Sequence, residues 1–355
     1  MENNENPEPA LSAPDSFLRL KIREYAQKQR HNQRDQATDA FRFGLGQIRQ
    51  EITELDNLKI KDVQGLAARI KRRKHATSEN MYRLSHAFLQ GNENINCFAA
   101  IPGASQVLVK ELTGPNLERQ IEAAECFCNY SLGEPHVAEK ISTMAGSYLV
   151  TYLDSNELRL KRSCLWTLTN LIATCPKAGK TLLQMQLIPK LWKLYVSDYD
   201  ELHTDAEISL NLLATTIDGI SPEDCHYLSE HMMEKRPSDL HGEYYMFLLY
   251  QWEIECKTQK QAEYLIDFFL NQKEINYNNN WSIRYGIRLL ANVFYKHPEL
   301  IQNFSNFEQF ANKLNQLFAK RDQELNFELL RMLRNLMELK LCNNNLWLNE
   351  LKFYG

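Results

Sequence analysis

Apolar residues return at helical spacing along almost the whole chain. In "RQIEAAECFCNYSL", "RLKRSCLWTLTNLI", "WSIRYGIRLLANVF" and "NFELLRMLRNLMEL" they recur every three or four positions, and alternating runs bounded by hairpin turns are absent. The pattern predicts an all-α protein. Pro135, Pro176, Pro222 and Pro298 each follow such a segment. Each suits the first turn of the next helix, where a missing N–H costs nothing.

The helical segments repeat. Asn129, Asn170 and Asn211 follow one another at a spacing of 41, and Pro135 and Pro176 keep the same interval. Asn292 comes 81 residues later, close to two periods, and Asn335 a further 43 on. The skipped step falls near Trp252 in "YYMFLLYQWEIE", where no asparagine stands. A period of this length with about three helices per unit predicts a right-handed superhelical armadillo-type solenoid of about six to seven repeats over 76–355.

A polar residue recurring inside apolar helices needs a shared geometry. Asparagine offers one acceptor and two donors, so one amide can hold both the N–H and the C=O of an extended peptide without reading its sequence. Neighbouring helices pack about 8 to 10 Å apart and an extended chain rises about 3.3 Å per residue, so one asparagine per repeat would hold roughly every third residue. The position four earlier lies on the same helix face. It carries Glu125, Trp166, Glu207, Arg288 and Arg331. A tryptophan there supplies a slot for a Lys or Arg stem. The candidate peptide-binding residues are thus Trp166 with Asn170, then Asn129, Asn211, Asn292, Asn335, Glu125 and Glu207. Such a groove would be acidic in its first half and basic in its second. The plainer reading makes Trp166 core filler and has each asparagine bond to neighbouring backbone.

The helix ending in "WTLTNLIA", a short helix opened by proline and then "MQLIPKLWKLY" resemble the armadillo repeat of the importin-α (karyopherin-α) family, most strongly over 117–217. "RLKIREYAQKQRHNQRDQATDAFR", residues 19–42, is similar to the importin-β-binding segment of that family, with many basic positions replaced. The pairing of such a segment with a degenerate repeat body also resembles the importin-α-like proteins of the transmembrane and coiled-coil type. The resemblance implies an adaptor that carries protein cargo to an importin-β-type receptor, between cytoplasm and nucleus. In that reading 16–43 is the receptor-binding part of the arm, through Arg19, Lys21, Arg23, Lys28, Arg30 and Arg34. An armadillo scaffold or assembly factor without transport is the competing reading.

Charge divides the chain in a way that fits either reading. Residues 1–15 carry four acids and no base, 16–74 carry 15 Lys or Arg against 7 acids, and the remainder 26 against 34. We therefore expect a disordered tip (1–15), a basic helical arm (16–75) that suits an acidic partner or the protein's own body, and an acidic repeat body. "KRRK" at 71–74 is a weak match to a nuclear-localisation signal, and no fold signature for nucleic acid accompanies it.

Other classes find little support. No apolar run reaches the roughly 18 residues that span a bilayer. The eight scattered cysteines suit buried thiols of a reducing compartment. "PKAGKT" ends like a phosphate loop but has Thr174 at the place of the first glycine and a helix before it. Cys126 and Cys128 point about 200° apart on a helix and cannot readily share a metal. Cys225, His226 and His231 lack a second ligand pair. We expect no enzyme, no metal and no cofactor.

Overall fold

The computed structural model describes residues 58–197, 200–234, 245–271, 281–301 and 307–338. The receptor-binding residues assigned in the arm, Arg19 to Arg34, lie outside them. The described chain is helical, with no strand among the described residues, and it divides into two compact units, 1–217 and 218–355.

The first unit is built from stacked layers of two or three helices. Helices α1 (Ile60–Arg73) and α2 (Ser78–Gln90) form its first layer. Then come α3 (Asn92–Ala100), α4 (Ala104–Leu112) and α5 (Leu117–Tyr130). The next layer is α6 (Pro135–Thr151) and α7 (Leu158–Thr174), and the last is α8 (Pro176–Leu183), α9 (Leu187–Tyr195) and α10 (Asp200–Thr216). The final helices of the layers, α2, α5, α7 and α10, pack in series, α2 on α5, α5 on α7 and α7 on α10. This is the armadillo arrangement, an α-solenoid in which a repeat buries its apolar face only by stacking on its neighbours.

Local sequence explains the boundaries. Pro135 and Pro176 open α6 and α8 as expected. The Asn116 side chain accepts the Arg119 N–H and caps α5. The first two helices of a repeat part where one residue turns left-handed, at Gly103 before α4 and at Gln186 before α9. In the middle layer Gly146 does not break the chain, and α6 runs straight through as one helix. A side chain at Gly146 would meet Leu182 of α8, its Cβ only 3.0 Å from Leu182 Cδ2. Aromatic rings fill the joint between the first two layers, where Phe88, Phe98 and Tyr130 stand 5.1–5.3 Å apart in pairs.

The part of the arm that the structure describes, 58–75, belongs to this stack. Val63, Leu66, Ala67 and Ile70 of α1 are buried, packed toward α3 and α4. The basic run Lys71–Lys74 closes the helix and stays exposed, where cations oppose the negative end of the helix dipole.

The second unit contains α11 (Pro222–His231), α12 (Tyr245–Gln251), α13 (Gln259–Asn271), α14 (Trp281–Lys296), a 3₁₀ turn Pro298–Ile301, α15 (Phe307–Phe318) and α16 (Gln323–Glu338). Here α12, α14 and α16 take the place of the final helices, each packed on the next. The step without an asparagine is thus the short helix α12, followed by the buried Trp252.

Candidate peptide-binding face

The asparagines do occupy one register position on successive final helices, but they point sideways. Asn129 Nδ2 on α5 donates to Ser85 Oγ of α2 at 2.7 Å and lies 3.4 Å from the Ser85 carbonyl oxygen. On α7, Asn170 Nδ2 donates to the Cys128 carbonyl at 3.0 Å and to Ser131 Oγ at 2.9 Å. In the second unit Asn335 Nδ2 on α16 donates to the Ala291 carbonyl of α14 at 2.8 Å. Each amide thus ties its helix to the preceding one. Asn211 departs from the pattern: it donates to Glu207 of its own helix at 2.9 Å, and its Oδ1 is buried with no hydrogen-bond partner. Asn292 is half-buried on α14.

This corrects the expectation that tryptophan and asparagine face outward together. Asn170 is 1% exposed, whereas Trp166 one turn earlier stays half-exposed. Spacing by four places two side chains on one face, but that face is wide enough for one to turn into the helix joint and the other out of it. Trp166 is fixed from the opposite side, its indole Nε1–H donating to Asp205 Oδ2 of α10 at 2.6 Å.

Two charged positions are likewise compensated. Glu125 Oε1 meets Arg159 Nη2 of α7 at 3.0 Å, and both are exposed enough for solvent to screen the pair. The acidic first half of the face therefore carries its own counter-charge. In the second unit Arg288 does not face out as a repelling cation. Its Nε donates to Glu328 Oε1 of α16 at 2.7 Å, with both groups largely buried, and its guanidinium lies 5.2 and 5.1 Å from the Tyr250 and Tyr285 rings. Burial works against the Arg288 charge, but Glu328 and the two tyrosines outweigh it and hold the charge more firmly. Arg284 and Glu324 form a second pair one turn earlier. Arg331 is exposed and Glu207 half-buried.

Two further residues belong to the same register. Asn170 and Asn335 each reach the residue just before the asparagine of the preceding final helix, so the bond of Asn129 to Ser85 marks His86 as the equivalent place on α2. Four residues earlier stands Tyr82, whose ring meets the His86 ring edge-on at 4.5 Å between centroids. Tyr82 is exposed and His86 half-exposed. The signal was an aromatic residue 43 positions before Glu125, obscured because a histidine replaces the asparagine.

The accessible strip across the first unit thus runs from Tyr82 and His86, through Glu118, Glu122, Glu125 and Asn129, to Arg159, Arg162 and Trp166, and then His203 and Glu207. Such a strip offers an aromatic slot at each of two places, with hydrogen-bonding and charged groups between them. The enzyme-like fragments stay apart. Cys225 Sγ contacts the Trp252 carbonyl at 3.9 Å, His226 pairs with Glu230 and His231 Nδ1 with the Tyr227 carbonyl. Among the described residues no three His, Cys, Asp or Glu groups could hold a metal ion, and no helix is long and apolar enough to cross a membrane.

No protein-family model matches the chain. An engineered protein of known structure aligns over 84% of this chain and 81% of its own, at 17% identity and a TM-score of 0.55. A designed armadillo repeat protein aligns over 73% and 92%, at 19% identity and a TM-score of 0.40. Computationally designed armadillo repeat proteins for modular peptide recognition align over 78% and 98%, at 19% identity and a TM-score of 0.42. At 17% identity the first of these likenesses is one of fold alone. The helical repeats and their stacked final helices make the chain an all-α armadillo-type solenoid protein.

Proposed function

We propose that this protein is a non-enzymatic binding protein that holds an extended segment of another protein on the strip formed by α2, α5, α7 and α10. Trp166 carries the reading. Its indole N–H is already taken by Asp205, so the half-exposed ring is held in place and can receive an apolar or cationic stem without leaving a polar atom unpaired. Designed armadillo proteins made for modular peptide recognition use the same class of repeat. At the finer level the protein is an importin-α-like adaptor, taking cargo on this strip and an importin-β-type receptor on residues 16–43, with a place in both cytoplasm and nucleus.

A scaffold that kept the repeats without transport is favoured by two observations. The buried Asn170 amide and the Glu125–Arg159 pair spend on the solenoid itself groups that a basic cargo peptide would need. Co-purification with importin-β decides between the two. The adaptor reading expects the full chain to bind and the variant with Arg19, Lys21, Arg23, Lys28, Arg30 and Arg34 changed to alanine to lose binding. No binding by the full chain, or binding that survives those changes, leaves the scaffold.

A further inference from the structure

The cations of α1 sit on a folded surface, not on a tail. Lys59, Lys61, Arg69, Lys71, Arg72, Arg73 and Lys74 are exposed, and so is Lys110 near the end of α4, whose Nζ donates to the Lys74 carbonyl at 3.3 Å. Among the described residues none of these eight side chains forms an ion pair. The acid of α1, Asp62, accepts the Lys59 N–H at 2.8 Å. Glu111 on α4 is buried and is spent on His75, the Ala76 N–H and Arg119. Packing holds the surface still. Val63, Ala67 and Ile70 are wholly buried, Lys74 ends the helix left-handed at a φ of 53°, and Arg119 Nη2 donates to the Ala76 carbonyl just after it. The helix dipole favours the cations in the last turns of α1 and α4, but Lys59 and Lys61 stand at the positive end of α1, where it disfavours them.

We propose that this basic face of α1 is a second docking site, separate from the strip of α2, α5, α7 and α10, and that it takes an extended acidic segment of another protein. Charge complementarity selects the partner. From Lys59 to Lys74 the helix runs about 22 Å, the reach of about seven extended residues. A segment with acids at most of those positions meets a cation near each end and along the length between. Arg69, Arg72 and Arg73 add planar forks, each able to hold a carboxylate by two hydrogen bonds. Broader polyanions fit less well. Glu79 and Glu93 are exposed in the first turns of α2 and α3, the helices on which α1 packs, and residues 75–355 carry 34 acids against 26 bases. A nucleic-acid duplex or an anionic membrane is wider than α1 and would press its phosphates against such acids, whereas one extended chain can lie along α1 alone. The apolar face of α1 is already buried in the stack, so it has none to insert into lipid.

The test titrates a labelled peptide of about seven glutamates into the full-length chain whose Arg19, Lys21, Arg23, Lys28, Arg30 and Arg34 are alanine, so that the α1 face is read without them. Saturable binding is expected at low salt, weakening as salt rises. Changing Lys71, Arg72, Arg73 and Lys110 together to glutamine should weaken it at least about tenfold, and the separate variant Lys59→Gln, Lys61→Gln, Arg69→Gln should weaken it too. All these side chains are exposed, and melting curves check that both variants fold. Trp166→Ala should leave the affinity unchanged, which separates this site from the strip. Absence of saturable binding overturns the proposal, as does binding that neither set of glutamines weakens. A short DNA duplex or phosphatidylserine vesicles bound more tightly than the peptide, and released by the same substitutions, would overturn it by naming the other class of partner.

Discussion

The side-chain amide of Asn170 is bonded to the main-chain oxygen of Cys128, 42 positions earlier on the preceding final helix. The same amide holds Ser131 Oγ, which in turn donates to Cys128 O at 2.6 Å. One side chain thus ties two repeats at a fully buried point. Asn170→Ala should cost about 2 kcal/mol of stability, because it leaves a small void and removes two hydrogen bonds from buried groups. Asn129→Ala, at a half-buried site, should cost about half as much. Chemical denaturation of the two variants measures the difference, and equal costs would mean that the register position does not act through burial.

The Arg288–Glu328 pair supplies a sharper test in the second unit. Glu328→Leu strands a buried guanidinium between two tyrosines and should cost about 3 to 5 kcal/mol. Arg288→Met combined with Glu328→Leu should recover most of that loss. A double-mutant cycle by denaturation reads the recovery.

These two sites also show where the sequence stopped being informative. The repeat was legible because asparagine is conspicuous in an apolar helix and returned at 41 residues, and the final helices carry it where expected. The direction of the amide was not legible, since spacing by four fixes a face but not a rotamer. The partners of the strip were hidden for a related reason. Arg159 lies 34 residues from Glu125, Asp205 lies 39 from Trp166, and Glu328 lies 40 from Arg288. No intrahelical rule reaches that far. Tyr82 and His86 escaped notice because the asparagine itself had changed, and only its neighbour's bond to Ser85 restored the alignment.

Acid should loosen the joint between α4 and α5. Burial pushes the Glu111 carboxyl up, but hydrogen bonds from the Ala76 N–H and Arg119, together with the charges of Arg119 and His75, outweigh it and leave its pKa below the usual 4.5. A carboxylate lowered on folding adds stability that is full above its unfolded pKa and is lost as pH falls through the lower, folded one. The melting temperature should therefore drop on acidification below about pH 4.5, and drop less in Glu111→Gln. Melting curves for both proteins at neutral and acid pH give the comparison.

Thiol reactivity should separate the cysteines by depth. Cys126 and Cys164 are buried and their thiols are pushed far up by desolvation, and burial holds Cys256 up at about 12. Among the described cysteines, Cys97 and Cys225 alone are partly exposed. Native-state alkylation followed by mass spectrometry should modify Cys97 first and leave Cys126, Cys128 and Cys164 intact until the protein unfolds.

Binding on the Trp166 strip is tested most directly by titrating the full chain with a labelled, unstructured peptide rich in Lys and Arg. The account predicts weak, saturable binding that Trp166→Ala weakens by about tenfold without lowering the melting temperature enough to unfold the chain. No binding at any workable concentration, or binding indifferent to the loss of Trp166, would contradict it.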